Sequence, residues 1–267
     1  AAGGTTAAAS VSLGQSDNTI AAIGQIRVTG DITIHAGTGT DPLSVGAIAT
    51  TTGNVVLSAA RAIDVVGAVS GASLTLTGTT IAVAAGGQVT ATGGDLILSA
   101  TAAAGGITFD AGSSLTGAGG QRVVLRADSL SIDAGVTLTL TGSAVEVGPR
   151  TDGRAEQHGA AGSGLSLDAT TLGLLTGSGA TSLRLGETVI DADTQRGGDL
   201  TLGTNLAFAG DLTLISTGAV ALGGNAVTVS GHDLRIHAAG AVSGSGILQA
   251  ASLTIRGADG ADASEAG

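Results

Sequence analysis

The densest set of ionisable groups in the chain is Arg150, Asp152, Arg154, Glu156 and His158, carried by the stretch Gly148-Pro149-Arg150-Thr151-Asp152-Gly153-Arg154-Ala155-Glu156-Gln157-His158-Gly159. Two carboxylates and an imidazole are the groups that general acid–base catalysis uses. Catalysis also needs them held within hydrogen-bond reach and partly desolvated. A polar run of Gly, Ala and charges, without alternating aliphatics, predicts a solvated loop that offers neither. The five residues are therefore candidate contact residues for another subunit or ligand, and no catalytic residue is assigned.

The remaining chemistry-bearing residues are scattered. His35 and His237 follow the triplets Ile32-Thr33-Ile34 and Leu234-Arg235-Ile236, so alternation aims both outward, and His232 stands beside Asp233 at a turn. No pair among the four histidines has the spacing of a zinc site. The absence of cysteine excludes thiolate zinc sites, thiol catalysis and disulfides. Asp191-Ala192-Asp193 is the one tight acidic pair, a weak signal for a cation. Asp31, Asp95, Asp199, Asp211 and Asp233 each precede an aliphatic triplet, where short polar side chains are expected to bond local backbone. The Gly-Gly-x-Gly-x-Asp repeat of calcium-loaded β-rolls does not occur, so no metal or other cofactor is expected.

What must position these residues is a repeat. An aliphatic residue, any residue and a second aliphatic recur behind Gly-Asp or Gly-Asn, as in Gly30-Asp31-Ile32-Thr33-Ile34, Gly53-Asn54-Val55-Val56-Leu57, Gly94-Asp95-Leu96-Ile97-Leu98 and Gly210-Asp211-Leu212-Thr213-Leu214. Most copies recur at intervals of 17 to 27 residues, the length of one supersecondary unit that must stack on its neighbours to bury its apolar face. Within a repeat, Leu74-Thr75-Leu76, Ile81-Ala82-Val83 and Val89-Thr90-Ala91 alternate with period two and are parted by glycine corners. The predicted fold is all-β: a single-stranded parallel β-helix with three short strands per coil and roughly 11–13 coils. Residues 1–24 are expected as an irregular or frayed first coil, 25–147 as regular coils, 148–164 as a polar loop insertion, 165–255 as regular coils again, and 256–267 as a linker or disordered exit. The opening Ala1-Ala2-Gly3-Gly4 has no charged or apolar leader region, and the sequence is read as a piece of a longer chain.

Composition fits narrow coils: 47 glycines, no Trp, Tyr, Met or Cys, and only Phe109 and Phe208 as aromatics. The core must be layered from aliphatic side chains. A net charge of −11, with arginines in no stripe, argues against a nucleic-acid partner. No run of 18 apolar residues exists, so no transmembrane helix is expected.

The parallel β-helix also carries polysaccharide lyases and hydrolases, an alternative function. Those sites lean on aromatic platforms for sugar rings, and this chain lacks them, so no enzyme is expected. An ice-binding face is a second alternative, suggested by the outward Thr33, Thr75, Thr139, Thr201, Thr213 and Thr254. Val56, Ile97, Val124, Arg184 and Arg235 interrupt that row, and Thr suits exposed strands anyway.

Repeats such as Gly-Asp-Leu-Thr-Leu at 198–202 and 210–214, Gly-Asp-Leu-Ile-Leu-Ser-Ala at 94–100 and Ala-Ser-Leu-Thr-Ile at 251–255 resemble the β-helical shafts of filamentous haemagglutinin-type exoproteins, the adhesins of two-partner secretion. The resemblance covers roughly residues 25–255 and rests on repeat style, which autotransporter passengers share. It implies secretion to the surface or exterior of a Gram-negative bacterium through an outer-membrane transporter, and a role in adhesion, aggregation or biofilm. The implied partners are further coils of the same chain, or identical chains end to end, and a host or cell-surface ligand. The Asn-Pro motifs of that family's secretion domain are absent from these residues.

Overall fold

Aliphatic residues at every second position, with small residues and turns between, drive each triplet into a strand that buries one face. The computed structural model describes residues 9–15, 18–160 and 164–257, and they form a parallel β-solenoid of about 11 turns, the lower end of the expected range. At the ~4.8 Å spacing of parallel strands the stack is about 50 Å long.

One face runs the whole length in unbroken register. Val11, Ile32, Val55, Leu74, Leu96, Val123, Val145, Leu183, Leu212, Leu234 and Leu253 stack one above the next as its first inward column. A second column holds Ile34, Leu57, Leu76, Leu98, Leu125, Val147, Leu185, Leu214 and Ile236, nearly all without solvent contact. Each such side chain contributes about 1.5–3 kcal/mol by leaving water. Two further faces complete each coil. On the second, Leu43, Ile63, Ile81, Ile107 and Leu130 align. On the third, Ile48, Val69, Val89, Leu115 and Leu138 align. In the early coils these two faces are one long strand, Leu43–Thr50, whose first part pairs Ile63–Val65 and whose second pairs Ala68–Gly71. Phe109 and Phe208 both lie in the interior.

Four of the five corner aspartates act between coils, whereas Asp233 pairs with Arg235 two residues on. The Asn54 N–H donates to Asp31 Oδ1 at 2.7 Å, Arg122 N–H to Asp95 Oδ1 at 3.1 Å, Ala219 N–H to Asp199 Oδ1 at 2.7 Å and Asp233 N–H to Asp211 Oδ1 at 3.1 Å. Each carboxylate thus satisfies the backbone of the next coil, which a turn-forming role within one coil would not do.

Four departures from the expected organisation concentrate at the ends and the middle. The first rung, Val11–Leu13, already lies inside the segment expected to be irregular; residues 1–8 and 258–267 are outside the described residues. The expected loop at 148–164 contains an interior strand, Glu156–His158. A helix, Ala169–Thr176, stands where regular coils were expected to resume; Asp168 caps it by accepting from Thr171 N–H at 2.7 Å, and Leu172 and Leu175 enter the core. An antiparallel hairpin, Glu187–Ile190 with Asp193–Arg196, folds over the outside of the first face.

Candidate functional site

The ionisable residues gather in the middle coils, and the strand Glu156–His158 is the first group. On the second face it lies between Leu165–Leu167 and Leu200–Leu202: Glu156 aligns with Leu165 and Leu200, and His158 with Leu167 and Leu202. The chain lays down this rung, then steps back to place Leu165–Leu167 beside it. Glu156 and His158 therefore occupy inward positions that Leu fills in both neighbouring rungs, and their side chains have no solvent exposure. His158 Nε2 lies 2.9 Å from Glu156 Oε2. Glu156 Oε1 and His158 Nδ1 have no hydrogen-bond partner. Burial pushes the Glu156 carboxyl up, against the opposing pull of His158. Gly197 is required above the pair, since a Cβ there would collide with Glu156 Oε1. Two residues of the expected contact loop are thus sealed in the core, and the sequence signal for this is alternation that persists with polar residues at the inward positions.

The rest of that segment is tied down around Asp128, a buried carboxylate not singled out from sequence. Its oxygens accept from Arg150 N–H at 3.0 Å, Thr151 N–H at 2.8 Å, the Thr151 hydroxyl at 2.6 Å and Ala104 N–H at 3.1 Å. Burial works to raise the Asp128 carboxyl, but these donors and nearby Arg154 outweigh it and hold it below the usual carboxylate range. Ala104 carries a φ of 61°, a left-handed conformation that this hydrogen bond helps to hold. Asp152 is exposed and accepts from Arg196 N–H at 3.0 Å. The structure brings Arg150, Asp152 and Arg154 to one corner and separates Glu156 and His158 from solvent. It forms no constellation of base, acid and open cleft from these five residues.

The hairpin is the third group. Arg126, only 3% exposed, donates to Thr188 Oγ1 at 2.9 Å, to the Asp193 carbonyl at 2.8 Å and to Asp193 Oδ2 at 2.6 Å. Arg122 grips Glu146 through two nitrogens at 3.0 and 3.1 Å, and also the Val189 carbonyl. The hydrogen bonds it donates to Glu146 raise the Arg122 guanidinium above its ordinary range. Glu146 in turn accepts from Val189 N–H at 3.1 Å. Val124, outward by alternation, is fully covered. The acidic pair seen in the sequence is the hairpin turn: Asp191 adopts a φ of 53°, and Asp193 is engaged by Gln195 and Arg126, which lower its carboxyl.

Thr33, Thr75, Thr213 and Thr254 share the outward column of the first face, whereas Thr139 and Thr201 lie on the other two. Among the described residues no three His, Asp or Glu side chains are placed to hold a metal ion, and no helix is long and apolar enough to cross a membrane. Comparison with family models, with curated proteins and with solved structures finds no match to this chain.

Proposed function

We propose that this chain is a non-catalytic shaft segment of a secreted bacterial surface adhesin or extracellular filament, acting in adhesion, aggregation or biofilm. The observation that carries this reading is the aliphatic column of the first face, continuous from Val11 to Leu253. A stack in which every coil hydrogen-bonds only to its neighbours is stiff along its axis and extends by adding coils, which suits a spacer better than a catalyst. Support also comes from the terminal rungs. Val11 in the first described rung and Leu248, Leu253 and Ile255 in the last are only partly buried, apolar surface of the kind that further coils or an identical chain would cover. On this reading the protein is exported through an outer-membrane transporter and meets its cell-surface ligand outside a Gram-negative cell.

The test is cellular. Removing the segment from its producing strain should reduce aggregation and surface attachment, and antibody to the purified protein should label intact cells. Unchanged attachment with no surface labelling would overturn the proposal, as would turnover of a glycan by the purified protein.

A further inference from the structure

Beside the hairpin, the outer surface of the first face opens into a groove of about 540 Å³. Arg184 and Arg235 stand in the same outward column, separated by Thr213, so their backbone positions lie two rungs apart along the axis. That separation is roughly 10 Å. The hairpin supplies Arg196 and Glu187 as one wall, and His237 lies beside Arg235 on the floor. Both oxygens of Glu187 are taken, by Arg184 at 3.1 Å and Arg196 at 2.5 Å. The one lining carboxylate therefore pairs with two of the three lining arginines. Asp233 pairs with Arg235 at 2.5 Å from outside the groove, and counting it still leaves one positive charge in excess. In a chain of net charge −11 this is a reversal of sign.

The same charges bear on His237. Its imidazole is held below the usual histidine range by burial, then by Arg256 and Arg235, with Arg184 adding to them and Glu187 opposing. The backbone N–H groups of Thr217 and Ala239 at the groove are spent on the Gly197 and Ser216 carbonyls, while guanidinium forks match planar carboxylates. The hydroxyl of Thr213 adds a neutral donor, whereas that of Thr217 is already spent on the Gly197 carbonyl at 2.8 Å.

We propose that this groove is a binding site for a carboxylate-bearing ligand, either a free polycarboxylate or the uronate units of an acidic glycan. The site binds without catalysing a reaction, and it does not depend on the shaft role proposed above.

The experiment follows the His237 imidazole by NMR in the whole protein, adding citrate, a uronate trisaccharide or a neutral trisaccharide of equal length. A bound carboxylate stabilises the imidazolium, so the His237 titration midpoint should rise. Arg235→Gln should weaken binding roughly tenfold, and Arg184→Gln comparably. Arg27→Gln makes the same charge change on an exposed residue far from the groove and should leave affinity unchanged. Tighter binding of the uronate than of citrate identifies a glycan source, and the reverse a free polycarboxylate. The proposal is overturned if no carboxylate moves His237 at millimolar concentration, if the neutral sugar binds equally, or if Arg27→Gln weakens binding as much as Arg235→Gln.

Discussion

Two stretches of the solenoid solve the same packing problem differently. Between Leu74 and Leu96, which are register partners, 22 residues complete a coil of three strands whose inward positions are all aliphatic or small. Between Val145 and its partner Leu183 the chain spends 38 residues. It inserts the Glu156–His158 rung, steps back to Leu165–Leu167, and replaces the third-face strand with the helix Ala169–Thr176. Yet the first face continues through both stretches without a shift in register. A single continuous ladder is enough to hold the axis, and the other two faces can be rebuilt around it. The middle is also where buried charge accumulates: Asp128, Glu146, Glu156 and Arg126 are all nearly inaccessible, whereas no charged residue before Arg126 is buried among the described residues.

The largest expected effect tests whether the polar rung is a cost to the stack. His158→Ala leaves the Glu156 carboxyl alone in an apolar column and should destabilise by about 3–5 kcal/mol in denaturant unfolding. Replacing both residues by leucine restores the pattern of the neighbouring rungs and should be neutral or stabilising by about 1–4 kcal/mol. If the double variant is as damaged as the single one, the difference between the two stretches is not one of core polarity.

Removing the hairpin's anchor should come next. Arg126→Gln deletes the donors to Thr188 and Asp193 and should open the hairpin locally by about 1–3 kcal/mol. Hydrogen exchange would then speed up at residues 187–196 and at Val124, with global stability much less affected. Equal acceleration in the coils near Leu74 would show that the hairpin is part of the stack and not a cover laid on it.

The contrast between these stretches also marks what the sequence made legible. Where Leu74-Thr75-Leu76 or Leu212-Thr213-Leu214 keeps alternation, glycine corners and aliphatic identity together, strand, face and column all follow from the residues. Glu156-Gln157-His158 keeps only the alternation. Its burial depends on a pairing between the two side chains and on the absence of a Cβ at Gly197, forty residues downstream, and neither is a local property. The helix was missed for a related reason. Ala169-Thr170-Thr171-Leu172-Gly173-Leu174-Leu175 mixes strong helix formers with two threonines and a glycine in a run too short to hold a helix alone, and tertiary burial of Leu172 and Leu175 decides the outcome. The hairpin carries β-branched residues on either side of Asp191-Ala192, but what fixes its position is Arg126, more than sixty residues upstream.

The pH response sharpens the comparison with opposite signs from two buried carboxyls. Glu156 is raised in the folded state, so the fold binds more protons there than the unfolded chain does. Its contribution is fully present below the ordinary value of 4.5 and is lost as pH rises through the folded value. Asp128 is depressed, so its contribution is present above its ordinary value of 3.8 and is lost as pH falls through the folded one. Acidification from neutrality toward pH 4.5 should therefore stabilise the native chain relative to Glu156→Gln. Below 3.8 the native chain should lose stability relative to Asp128→Asn. Unfolding midpoints taken across pH 3–8 for the three proteins check both signs.

The smallest effect bears on the corners, where the two stretches should agree. Asp31 and Asp199 each accept one N–H from the following coil, Asn54 in one case and Ala219 in the other, at the same 2.7 Å. Alanine at either position orphans a single exposed backbone donor that water can partly satisfy, so each should cost about 0.5–1.5 kcal/mol. Asparagine keeps an acceptor oxygen and should recover most of it, as Asn54 already does in the native chain by accepting from Ser73 N–H at 3.2 Å. Equal losses at Asp31 and Asp199, with equal rescue, would show that the coil-to-coil corner bond is indifferent to what fills the core beside it. A much larger loss at Asp199, whose coil abuts the Glu156–His158 rung, would mean that the corner there is also restraining the polar core.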